Sequence, residues 1–66
     1  MVYADITSFD REVGWGEALT QRNEIVGFHC VSLLDGSRDI AVGTRVVGSL
    51  YRGRSGGVEL REIATL

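Results

Sequence analysis

Glycine divides this chain into short pieces. Its 66 residues include nine glycines and no proline, and the glycines are spread from end to end. The apolar segments between them are about four to seven residues long, which is typical of strands and too short for most helices. The glycine spacing therefore predicts an all-β fold.

Five segments carry the patterning of strands. In the first, apolar Val2, Ala4 and Ile6 alternate with a tyrosine, an aspartate and a threonine, so one face can meet a core while the other meets water. In the third, Val26 and Phe28 share a face, which predicts that Phe28 is a core side chain. The predicted strands are residues 2–9, 15–20, 24–29, 45–51 and 58–63.

The periodicity fails between the third and fourth strands. Residues 30–34 suit a short 3₁₀ turn at the end of the core, followed by a crossover connection. Three strands in a meander, a longer connection and then a hairpin is the order of a five-stranded Greek-key barrel, the OB fold. Closure of a barrel also removes unpaired strand edges. A small SH3-like barrel has similar spacing, so the strand pattern leaves both architectures open.

Length and composition bound the class of protein. The chain is about half as long as a typical domain, so we expect a single domain over residues 1–66. With 44% hydrophobic and 24% charged residues, the chain can form a core and is too apolar for a disordered tail. It has no apolar run long enough to cross a bilayer and no basic-then-apolar leader. We therefore expect a cytoplasmic location and no membrane partner.

The only histidine and the only cysteine of the chain are adjacent. Cys30 has no disulfide partner, which fits a reducing compartment, and we interpret it as a small buried apolar group. Neighbouring strand residues point to opposite faces, so His29 and Cys30 do not form a metal site, and two ligands fall short of the number that zinc uses. One histidine also provides no triad or acid–base pair. We predict no metal, no cofactor and no enzymatic activity.

Three segments match a family pattern in order and spacing: SFDREVGWG at residues 8–16, VGFHCVSLL at 26–34 and VGTRV at 42–46. In these segments the chain resembles bacterial cold-shock proteins, whose motifs are W-F-N-x-x-K-G-F-G-F-I, V-F-V-H-F-S-A-I and E-G-Q-x-V. The resemblance runs nearly end to end. It implies a cold-shock-like OB barrel that binds single-stranded RNA or DNA.

The resemblance also implies a set of binding residues. In that family, aromatic side chains on the outer barrel face stack on unpaired bases, at about 1–3 kcal/mol per base, and cations follow the phosphates. For Trp15 the alternative is a core side chain that fills the barrel end, and for Phe9 it is a ring that covers the core. The predicted nucleic-acid-binding residues are Phe9, Trp15, His29, Arg11, Arg52 and Arg54.

Three of the family's rings are absent from this chain. Ser8, Glu17 and Gly27 stand at aromatic positions, while Asp10 and Val13 replace an asparagine and a lysine. At about 1 kcal/mol per ring, the loss is roughly 3 kcal/mol, or about two decades of affinity. The net charge of −2 provides no general attraction for a polyanion. We predict weak binding of single-stranded RNA or DNA, with a protein-interaction module or a homodimer as the alternative.

Overall fold

Five strands and one 3₁₀ turn follow the glycine-divided segments of the chain. They are β1 (Val2–Asp10), β2 (Trp15–Thr20), β3 (Ile25–His29), the turn Cys30–Ser32, β4 (Arg45–Arg52) and β5 (Val58–Thr65). The computed structural model describes residues 1–53 and 56–66. All five predicted strands are present, and each observed end lies within two residues of the predicted one.

The strands close into a barrel because β1 pairs on both sides. β1, β2 and β3 form an antiparallel meander, and the first half of β1 also pairs antiparallel with β4. β5 pairs antiparallel with β4 and parallel with β3. The strand order is therefore β1-β2-β3-β5-β4, closed between β4 and β1. The predicted all-β, five-stranded Greek-key OB-fold barrel is confirmed.

The core is apolar and fills the inside of the barrel. The apolar residues of the first predicted strand, Val2, Ala4 and Ile6, are buried inside the barrel. Phe28 is fully buried, as predicted. Cys30 is 9% exposed, which confirms its interpretation as a buried apolar group. The core cluster consists of Val2, Ala4, Ile6, Ala18, Val26, Phe28, Leu33, Val46, Leu60 and Ile63.

A bulge in β1 changes the direction of its last side chains. The pairing register with β2 shifts between Ile6 and Ser8, so that an extra residue of β1 stands against β2. Beyond the shift, Phe9 packs against the core and Ser8 is exposed. The bulge thus moves one aromatic side chain toward the inside of the barrel.

The connection between β3 and β4 crosses one end of the barrel. Cys30–Ser32 form the predicted 3₁₀ turn, and buried Leu33 makes a parallel bridge with Ile63 of β5. Further along, the N–H of Gly43 donates to the carbonyl of Ile6 at 2.7 Å and ties the connection to β1. The predicted crossover is confirmed. Within residues 1–53 and 56–66, no helix has the length and apolar character needed to cross a membrane.

Candidate nucleic-acid interface

The outward side chains of β2 and β3 form the candidate site. Alternation along β2 buries Gly16 and Ala18 and leaves Trp15 and Glu17 exposed. The antiparallel register sets each outward residue of β2 directly opposite one of β3. We call this surface the β2–β3 face, and its cross-strand pairs are Trp15 with His29, Glu17 with Gly27, and Leu19 with Ile25.

Trp15 lies on the outside of the barrel. Its side chain is 38% exposed, and its six-membered ring occupies the space above Gly27. A β-carbon built on Gly27 would overlap Cζ2 of the indole and lie 3.1 Å from both Cε2 and Cη2. These three atoms form one edge of the six-membered ring, so this edge is the part of the indole nearest to Gly27. The alternative of a core tryptophan at the barrel end is wrong for this chain.

His29 stands beside the indole on the neighbouring strand. The ring centroids of Trp15 and His29 are 6.4 Å apart with an angle of 64° between the planes, which is an edge-to-face arrangement. Nδ1 of His29 accepts a hydrogen bond from the backbone N–H of Val31 at 3.3 Å. In the neutral ring the proton is therefore assigned to Nε2. The bond also caps the 3₁₀ turn, so it fixes the ring against its own backbone.

Phe9 lies apart from these two rings. It is half-buried, and its ring is stacked on that of Phe28 with centroids 5.8 Å apart and planes 8° apart. Gly16 makes room for this pair, because a β-carbon there would lie 2.7 Å from Cζ of Phe28. The structure brings Trp15 and His29 together on the outside and places Phe9 against the core.

Both predicted cations that the structure describes, Arg11 and Arg52, contact oxygen atoms of the chain itself. Arg11 is 78% exposed, and its guanidinium forms a two-pronged ion pair with Asp39, at 2.8 Å and 3.2 Å. Arg52 ends β4, where Nη1 contacts the carbonyl of Gly56 at 3.5 Å. Arg54 lies outside the described residues. The charge of Arg11 is thus already balanced within the chain.

Carboxylates lie close to the indole. Asp10 is directly opposite Trp15 across β1 and β2, and its Oδ1 accepts from the backbone N–H groups of Glu12 and Val13 at 3.0 Å and 3.3 Å. This arrangement holds the turn between the two strands. Glu17 is exposed on the β2–β3 face itself. Asp10 and Glu17 thus place two carboxylates on the strand positions around Trp15.

Sequence reasoning missed an apolar margin next to the rings. Val13 and Val31 directly flank Gly14 and Cys30, which are joined by a backbone hydrogen bond of 2.8 Å. The two valines are 67% and 65% exposed. From the sequence, Val13 is identified only as a replacement for the family's lysine. Its proximity to Val31 could not be predicted, because the two valines are far apart in the chain.

In the described part of the chain, no group of three or more His, Cys, Asp or Glu side chains is close enough to hold a metal ion. The chain matches no protein-family model and no curated protein sequence. The resemblance to cold-shock proteins therefore rests only on the three matching segments at residues 8–16, 26–34 and 42–46.

Proposed function

We propose that this protein is a cold-shock-like, cytoplasmic OB module that binds single-stranded RNA or DNA weakly and performs no chemistry. One observation carries the proposal: Trp15 stands on the outside of the barrel, where its side chain is 38% exposed. An exposed indole is the best stacking surface that a side chain offers to an unpaired base. His29 adds a second, smaller ring on the next strand.

The contact with Gly27 favours binding because it orders the indole side chain before a ligand binds. The side chain packs on the backbone of β3 and on His29 before any ligand arrives. A side chain that is already ordered loses less rotamer freedom on binding, and such losses cost about 0.5–1.5 kcal/mol per side chain. Gly27, which stands where the family has a phenylalanine, thus removes one stacking ring but makes room for the indole of Trp15 to pack against β3.

The charges on the face set a low affinity. Arg11 is paired with Asp39, while Asp10 and Glu17 stand near the rings. Because no arginine lies among the cross-strand pairs of the β2–β3 face, binding there releases few counterions and depends mainly on stacking. We expect micromolar or weaker dissociation constants and a shallow dependence on salt.

Fluorescence anisotropy of labelled hexauridylate and hexathymidylate at low salt tests the proposal. We expect saturable binding that Trp15→Ala weakens about tenfold, the equivalent of one stacked base. Tyr3→Ala is the matched control, because Tyr3 is an exposed ring, 51% accessible, on a different wall of the barrel. Equal losses in the two variants, or no binding of any single-stranded oligonucleotide up to about 100 μM, would rule the proposal out.

Self-association is a second candidate, favoured by an apolar pair at the other end of the β2–β3 face. Ile25 is 57% exposed and lies opposite Leu19. In a two-fold dimer each copy would present this pair to the other and bury both. Sedimentation velocity of the wild type and Ile25→Lys over rising concentration tests it. A dimer that the variant loses supports the candidate, and a strict monomer excludes it.

A further inference from the structure

Glu17 stands on the β2–β3 face next to the indole. It is the cross-strand partner of Gly27, and the β-carbons of such partners lie about 4.5–5.5 Å apart. Cζ2 of Trp15 occupies the place of the missing β-carbon of Gly27. The root of the Glu17 side chain is therefore within about 8 Å of the edge of the indole. A base stacked on Trp15 would bring its own edge to this carboxylate.

The Glu17 carboxylate has no protein partner among residues 1–53 and 56–66, where neither an ion pair nor a side-chain hydrogen bond is formed by it. Its backbone carbonyl accepts from Oγ1 of Thr7 at 3.2 Å, which fixes this part of β2. By contrast, Asp10 is engaged by turn amides and Asp39 by Arg11. On this face, Glu17 presents its carboxylate to a ligand.

We propose that Glu17 makes the face select guanine over uracil and thymine, an inference that rests on the proposed function. An ionised carboxylate only accepts hydrogen bonds. The Watson–Crick edge of guanine has two adjacent donors, N1–H and the N2 amino group, which match the two carboxylate oxygens. Charge-assisted, two-pronged bonds of this kind are the strong ones.

The other bases match Glu17 less well. Cytosine and adenine each offer one amino donor beside a ring nitrogen that accepts. Uracil and thymine offer one N–H between two carbonyl oxygens, and these oxygens repel a carboxylate. The discrimination therefore has an attractive part for guanine and a repulsive part against uracil and thymine.

The carboxylate also repels phosphates, but this does not change the selectivity. In a stacked complex the base edge faces Glu17, while the phosphates are common to all sequences. The repulsion lowers the affinity for every oligonucleotide alike. Glu17→Gln should therefore raise the affinity for hexauridylate and at the same time remove the preference for guanine.

Anisotropy titrations of three hexamers test the inference: all uridine, one central guanosine, and one central inosine, which lacks the N2 amino group. A single guanosine avoids association between strands. For the wild type we expect about tenfold tighter binding of the guanosine hexamer than of hexauridylate, with inosine between them. Glu17→Gln should bring the ratio near one. Glu24→Gln, a matched change at an exposed glutamate outside the face, should keep it.

The outcomes separate the two proposals. If hexauridylate binds in a Trp15-dependent way but guanosine adds less than about twofold, guanine selection is overturned and the proposed function stands. A preference that persists in Glu17→Gln overturns Glu17 as the selecting residue. If none of the hexamers binds, both proposals are overturned.

Discussion

The edge of the Trp15 indole occupies the space that a side chain at Gly27 would fill. The two residues are not direct cross-strand partners, since Trp15 pairs with His29 and Gly27 with Glu17. The indole therefore reaches diagonally across the β2–β3 face. One glycine determines where the largest exposed ring of the face stands.

Gly27→Ala should move the indole away from β3 without unfolding the barrel. The added methyl group overlaps Cζ2, and an exposed side chain can swing outward to relieve the overlap. We expect a red-shifted Trp15 emission, stronger quenching by acrylamide, and a free energy of unfolding within about 1 kcal/mol of the wild type. Gly57→Ala is the control, because nothing lies within 4 Å of a β-carbon there. Unchanged emission in Gly27→Ala would contradict the observed packing.

Gly16→Ala, unlike Gly27→Ala, should lower the stability of the barrel substantially. The new β-carbon would lie 2.7 Å and 2.8 Å from Cζ and Cε1 of Phe28 and closer still to the backbone carbonyl of Ser8. Neither neighbour can move freely, because Phe28 is fully buried and Ser8 belongs to β1. Overpacking of this kind costs about 1–3 kcal/mol. Urea denaturation measures it, and a wild-type midpoint would show that Gly16 does not face the core.

Gly16 of β2 and Gly27 of β3 show what sequence alternation can predict and what it cannot. Alternation places Gly16 inward and Gly27 outward, and the structure agrees. The diagonal contact of Trp15 with Gly27 depends on a side-chain rotamer and on the register between β2 and β3. Alternation within a single strand predicts neither of these. The same holds for Arg11 and Asp39, which are 28 positions apart in the chain.

Two bulges mark further limits of the alternation. The register shift in β1 turns Phe9 inward, although simple alternation from Ile6 would place it outside. In β5, Glu62 has a φ of 55°, and both Leu60 and Ile63 point into the core. A bulge inserts one residue and reverses every later side chain. The strands were predictable from glycine spacing, whereas the positions of the bulges were not.

Asp39→Asn should strengthen oligonucleotide binding. It releases the Arg11 guanidinium from its ion pair, so that Arg11 can contact a phosphate. The slope of log affinity against log salt should then steepen by about 0.7, the value for one phosphate of a single strand. Asp35→Asn is matched in charge and lies in the same connection, but Asp35 accepts from the N–H of Ser37 instead. Equal effects of the two changes would mean that net charge alone is responsible.

The Asp5–Arg45 ion pair should contribute to stability only above acid pH. Arg45 donates to both carboxylate oxygens of Asp5, at 2.9 Å and 3.1 Å, and this lowers the pKa of Asp5 below its ordinary 3.8. A carboxyl group whose folded-state pKa is lowered stabilises the fold above its unfolded pKa. That stabilisation is lost as the pH falls from 3.8 through the folded-state pKa.

Urea denaturation of the wild type and Asp5→Asn at neutral and acid pH measures this contribution. The difference in free energy of unfolding between the two proteins should be largest at neutral pH and shrink below pH 3.8. Asp35, whose pKa is also lowered, by the N–H of Ser37, is present in both proteins and cancels from the comparison. A difference that does not vary with pH would show that the ion pair does not form in solution.

The emission of Trp15 during titration with hexauridylate tests most directly whether this ring holds the bases. Trp15 is the only tryptophan of the chain, so the signal reports one side chain. We expect saturable quenching with the same midpoint as the anisotropy of the labelled oligonucleotide. Binding by anisotropy with no change in emission, or no change in either signal up to about 100 μM at low salt, would contradict base stacking on Trp15.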